Sequence, residues 1–134
     1  FEAPNLKTDL RYLKMKVDAG AQFIVTQMFF DNKKYFEFVE KCKENGINVP
    51  IIPGLKPVTT KKQTTVLPKI FHVDLPEDLA DAIDKCKNDK EVKELGIEWC
   101  TNQSIELKKA GVPCLHYYTM GNAETTCRIA KKVF

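Results

Sequence analysis

The segment Val49–Leu55, VPIIPGL, constrains the fold more than any other in the chain. It is short, apolar throughout and bounded by turn-forming residues, the pattern of a strand buried on both faces in a parallel sheet. Two further runs read the same way. One is Phe23 to about Met28, inside FIVTQMFFD, and the other is Cys114–Met120, CLHYYTM.

Helical repeats separate these strands. Leu10, Leu13 and Val17 recur at helical spacing after the Pro4-containing leader, with Thr8 as the expected N-cap and Gly20 as the stop. Asp31 is placed to cap a second helix whose apolar side is Tyr35, Phe36, Phe38, Val39 and Cys42, ending at Gly46. After the second strand come TTKKQTTVLPKIF and DLPEDLADAIDKCK. The latter starts a helix at Asp74, with Pro76, Glu77 and Asp78 in the first turn. A long helix from about Lys90 to Ala110 contains Gly96, and NAETTCRIAKKVF closes the chain as an amphipathic helix with Asn122 as its cap. The expected order is α-β-α-β-α-α-α-β-α, an α/β class with right-handed crossovers and a parallel sheet. Three parallel strands leave two open edges and cannot cover their own core, so the chain reads as a contiguous piece of something with more strands.

Composition narrows the function classes. With 43% hydrophobic and 29% charged residues, the chain is a packed soluble domain, and it has no apolar run near the roughly 18 residues of a membrane span. No signal peptide is visible, and the start at Phe1 suggests a fragment or a processed chain. The net charge of +3 comes from lysines mixed with acids along the whole sequence, the pattern of solvated helix faces rather than of a nucleic-acid surface. The five cysteines form no CxxC, which argues against a disulfide framework and a zinc site and suits a reducing cytoplasm.

Ligand chemistry in parallel α/β folds sits at the carboxyl ends of the strands. Here each strand runs into polar residues: Thr26 and Gln27; Lys56, Thr59, Thr60 and Gln63; Tyr118, Thr119 and Asn122. Gln27 is the pointed case, because an amide beside a buried strand needs partners or costs about 1–3 kcal/mol. Each has a plain structural alternative: a satisfied core amide for Gln27, a solvent-facing helix start for Gln63, an N-cap for Asn122. His116 is expected to pack mid-strand, and His72 to face solvent in a connection. The glycine-rich phosphate loops and the zinc-protease signature are absent from the sequence, so no acid or base can be assigned from these residues.

The stretches DLRYLKMKVDAGAQFIVTQMFFD, IPGLKPVTTKKQ and HYYTMGNAE, taken together, resemble the C-terminal part of the methylenetetrahydrofolate reductase family, flavin-dependent TIM barrels of roughly 300 residues. The resemblance runs from about Asp9 to Phe134 and implies that residues 1–134 are the C-terminal segment of a single (β/α)8 domain, its sixth to eighth βα units. It implies FAD as cofactor, with hydride passing from NAD(P)H to the flavin and then to 5,10-methylenetetrahydrofolate, giving the 5-methyltetrahydrofolate of one-carbon and methionine metabolism. By resemblance, Gln27 and Gln63 match substrate-binding glutamines, and Asn122 stands where the family's YTLNR motif carries a substrate-binding arginine. Asp9 and Lys16 match flavin-contacting positions. Tyr12 and Met15 occupy two more, where the family has asparagine and arginine. The catalytic acid is expected upstream of Phe1. A cytoplasmic homo-oligomer is expected, with no metal, no nucleic acid and no membrane. The competing readings are a non-catalytic α/β module that binds a nucleotide or a partner, and an inactive half-barrel fragment.

Overall fold

A computed structural model describes residues 5–134, so the leader through Pro4 lies outside the described residues. The elements are α1 (Leu6–Asp18), β1 (Ile24–Met28), α2 (Asn32–Glu44), β2 (Ile51–Leu55), α3 (Gln63–Phe71), α4 (Glu77–Lys85), α5 (Asp89–Lys109), β3 (His116–Tyr117) and α6 (Glu124–Val133). The element order is the one the sequence predicts. The strands form one parallel sheet in the order β1-β2-β3.

Local chemistry sets the boundaries. The cap of α1 is Asn5, not Thr8: the Asn5 side chain accepts from the Thr8 N–H at 2.9 Å, so Thr8 lies inside the first turn. Asp31 caps α2 by accepting from the Lys33 N–H, and Asn88 caps α5 by accepting from the Glu91 N–H. Helix α4 begins at Glu77 after Pro76, while Asp74, further upstream, pairs with Lys34. The third strand is shorter than the apolar run that encodes it. It pairs only where His116 meets Gly54 and Tyr117 meets Leu55. The chain then turns through Met120 and Gly121, both at positive φ (51° and 84°).

The helices cover one face of the sheet. Ile51 and Leu55 of β2 are buried with Leu10 of α1, Tyr35 and Cys42 of α2, Ile97, Cys100 and Leu107 of α5, and Ile129 and Val133 of α6. A second cluster sits at the carboxyl ends of the strands, where Met28, Phe30 and Val58 meet Leu67, Leu79, Ile83 and Val92. Each fully buried leucine or isoleucine contributes about 1.5–3 kcal/mol. The opposite face is open: Phe23 is 57% and Val25 38% exposed. Among the described residues, no helix is long and apolar enough to cross a membrane, and no group of three potential metal ligands occurs.

Helix α5 comes closest to the sheet connection at Gly96. A Cβ there would lie 1.8 Å from the Val58 carbonyl oxygen and 2.8 Å from its carbon, both backbone atoms that cannot swing aside. Glycine is therefore fixed by packing, against its poor helix propensity. Gly96→Ala is expected to destabilise the fold by about 3 kcal/mol or more despite the gain in propensity. Chemical denaturation of the two proteins checks this, and an unchanged midpoint would refute the close approach.

Candidate functional site

The carboxyl end of β1 is irregular. Val25 pairs with Ile52 and Met28 with Gly54, so Thr26 and Gln27 together lie opposite Pro53. The ladder breaks into a bulge at that point. The Gly54 N–H, which follows, is taken by the Thr26 hydroxyl at 3.0 Å. Gln27 is exposed on the bulge, and its Oε1 accepts from the Met28 N–H at 3.1 Å.

The other two carboxamides are anchored in the same way. Gln63, the first residue of α3, accepts from the Thr59 N–H at 2.7 Å and so closes the loop after β2. Asn122 accepts from the Glu124 N–H at 3.0 Å at the start of α6. A backbone N–H can only donate, so in all three cases the amide oxygen faces inward and the NH2 group is presented. Among the described residues these NH2 groups have no hydrogen-bond partner. The structural and functional readings of Gln63 and Asn122 thus coexist: the oxygen caps, and the nitrogen remains to donate.

The four positions on α1 divide. Asp9 lines a cavity of about 440 Å3 together with Gln27, Val25 and Tyr35. Tyr12 and Met15 are each 55% exposed and Lys16 is exposed, and none of these lines that cavity. The spacing 9, 12, 16 puts Asp9, Tyr12 and Lys16 along one stripe of the helix. Gln63 and Asn122 lie outside the cavity. His72 is exposed in the left-handed region at the end of α3. His116 is exposed too, edge-on to Tyr118 with ring centroids 4.6 Å apart, rather than packed within the strand.

A buried polar network that sequence reasoning missed holds the turn after β1. Asn32 donates to the Gln103 carbonyl at 3.1 Å and to the Glu106 carboxylate at 2.6 Å. Gln103 donates back to the Asn32 side-chain oxygen, and the Trp99 indole donates to the Phe30 carbonyl at 3.0 Å. The partners are about 70 positions apart, so no local pattern could have found them.

Comparison with known proteins follows from this geometry. The family model described as methylenetetrahydrofolate reductase matches residues 1–133. A probable methylenetetrahydrofolate reductase (NADPH) of Caenorhabditis elegans is 36% identical over 134 residues, which is 98% of this chain and 20% of that protein. The 5,10-methylenetetrahydrofolate reductase of Escherichia coli K12 is 37% identical over 129 residues, 96% of this chain and 44% of that protein. The chain therefore spans less than half the length of these relatives. A solved structure matches in fold at a TM-score of 0.59 and 18% identity, over 96% of this chain and 48% of that one. It is an uncharacterized protein from Clostridium thermocellum that binds two copies of 5-methyl-5,6,7,8-tetrahydrofolic acid.

Lys56, the residue after β2, is only 8% exposed, and no carboxylate among the described residues pairs with it. Burial holds its amine below the ordinary 10.5, and the nearby Cys100 thiol opposes that shift. Cys100 is itself pushed up to about 12 by burial, against the pull of Ser104 and Lys56. Because the folded state lowers the lysine's proton affinity, the unfolded chain holds more protons between the folded value and 10.5, and stability rises with pH across that window. Lys56→Met is expected to stabilise the protein at neutral pH, because the partly desolvated cation is removed. The advantage should shrink as the pH approaches 10.5. Urea denaturation of both proteins at neutral and alkaline pH checks the sign, and a destabilised Lys56→Met would show that the amine has a structural partner.

Proposed function

The chain belongs to the methylenetetrahydrofolate reductase family, and from that premise we propose that it forms the carboxyl-terminal three βα units of a flavin-dependent (β/α)8 barrel that reduces 5,10-methylenetetrahydrofolate to 5-methyltetrahydrofolate. The observation that carries this reading is the anchoring of Gln27, Gln63 and Asn122. Each follows or ends a parallel strand, each has its amide oxygen held by a backbone N–H, and each presents an NH2 group. Such a set suits a ligand edge rich in carbonyl, ring-nitrogen and carboxylate acceptors, as a reduced pterin with its glutamate tail provides.

The open sheet face supports the barrel. Phe23 and Val25 are exposed where a closed barrel would bury them, and β1 and β3 keep free edges. The first five βα units are the proposed cover for that face. The fit to FAD rests on α1. Tyr12 and Met15 expose apolar surface, and Lys16 adds a cation on the same helix. With Asp9 they would form one wall for the flavin and a positive charge for its phosphates. When bound, the flavin supplies the hydride-transfer chemistry. The residues of this chain bind and orient. Gln27 holds the pterin by donating from its amide nitrogen, and Gln63 and Asn122 extend that donor set. Asn122 makes neutral contacts where the family arginine would form a charged, bidentate pair. The reduced nicotinamide is the proposed hydride source.

Gln27→Ala in the protein that includes the upstream barrel should weaken folate binding by about 1–3 kcal/mol, with its thermal midpoint nearly unmoved. Steady-state kinetics and a melting curve decide this. A large stability loss with normal folate kinetics would return Gln27 to the core. In this reading the chain of 134 residues by itself carries only the α1 wall of the flavin site. Once shown by circular dichroism to be folded, it should not bind FAD at sub-micromolar concentration, whereas the protein with the upstream barrel should. Tight binding to the short chain would place the whole flavin site in these residues.

A further inference from the structure

We propose that Tyr118 is a positioning residue for Gln27, acting across the middle strand. The Tyr118 hydroxyl donates to the Thr26 carbonyl at 2.8 Å, a bond that reaches from the residue after β3 to the bulge on β1. Its ring crosses β2 at Gly54. A Cβ on Gly54 would lie 2.7 Å from the Tyr118 ring and 2.5 Å from the Thr26 carbonyl oxygen. Only glycine leaves that path open. His116 packs edge-on against the ring and limits its tilt.

The bulge needs such a brace. In a regular parallel ladder the Gly54 N–H would donate to the Thr26 carbonyl; here it goes to the Thr26 hydroxyl, so the carbonyl has lost its ladder partner. Tyr118 replaces the missing donor, and the Thr26 hydroxyl replaces the missing acceptor for Gly54. Thr26 is thus fixed by both its side chain and its main chain, and Gln27 is the next residue along. The carboxamide sits on a peptide held from two strands away. The proposal rests on the reading of Gln27 as a folate ligand and adds the device that aims it.

The test uses 5-methyltetrahydrofolate as the probe, titrated into the protein with its upstream barrel, for Tyr118→Phe, Gln27→Ala and the double variant. Tyr118→Phe should raise Kd by about two- to tenfold, the range of one lost hydrogen bond. It should add nothing in the Gln27→Ala background, because the effect travels through Gln27. Additive losses, or an unchanged Kd for Tyr118→Phe, would overturn the proposal. A nuclear magnetic resonance readout separates its two halves. Tyr118→Phe should shift the Gln27 side-chain NH2 and the Met28 amide resonances, and Thr26→Ser, which keeps the hydroxyl, should not. Unmoved resonances in Tyr118→Phe would remove the brace. If instead Gln27→Ala leaves Kd unchanged, the ligand role of Gln27 fails, and with it the positioning role of Tyr118, whatever the resonances report.

Discussion

The bulge of β1 opposite Pro53 and Gly54 is the constraint on which the carboxyl end of this sheet depends. One cannot donate a hydrogen bond and the other cannot carry a side chain without a clash, and they sit side by side in the middle strand. β1 bulges opposite the first, and the second lets an aromatic ring cross the sheet to hold that bulge. Gln27 comes to the surface because the ladder fails opposite Pro53. Were the ladder regular, the strand's two-residue period would have carried on through Thr26 and Gln27, and the side chains after Val25 would face differently.

The one-sided core serves the same end. Helix α5 runs under the sheet, burying Ile97, Cys100 and Leu107, and approaches the connection after β2 closely enough to require Gly96. From its outer turns come Trp99, Gln103 and Glu106, which bind the Phe29–Asn32 turn through charge-neutral and charge-assisted hydrogen bonds. Both sides of the bulge are therefore held by groups far away in sequence: Tyr118 on one side, α5 on the other. A hydrogen bond in such a network contributes about 0.5–1.5 kcal/mol, but leaving one member unsatisfied costs more. The rigidity around Gln27 thus comes from tertiary contacts, since a short strand supplies little of its own.

This explains what the sequence discloses. Element order was legible because hydrophobic periodicity is local: Leu10, Leu13 and Val17 report a helix without reference to anything else. Cap identity was half legible. Asp31 stands at its helix start, but Thr8 and Asn5 are both good caps, and backbone geometry chose Asn5; the cap Asn88 came only from the structure. The length of β3 was not legible, because CLHYYTM is apolar enough for seven strand residues and pairing with Gly54 and Leu55 supports only two. The polar residues at the strand ends could be picked out as a group, yet nothing local says that Lys56 is buried while Gln27 is exposed. That difference arises from which face the chain turns toward after a bulge or a strand end.

The anchored carboxamides bear on how the proposed site would select a ligand. A free glutamine can rotate to match a donor or an acceptor, and so discriminates poorly between the two. Here a backbone N–H occupies the oxygen of Gln27, Gln63 and Asn122 in turn, so flipping any of them would set an NH2 against an N–H and cost a hydrogen bond at each end. Each side chain is thereby committed to donating. In the proposed site, a ligand that offers acceptors would find three NH2 groups already oriented, with little rotamer entropy left to lose. Asn122 fits this logic despite lacking the charge of an arginine. It keeps the donor direction while giving up the ion pair, so in the proposed site selectivity would rest on hydrogen-bond polarity more than on net charge.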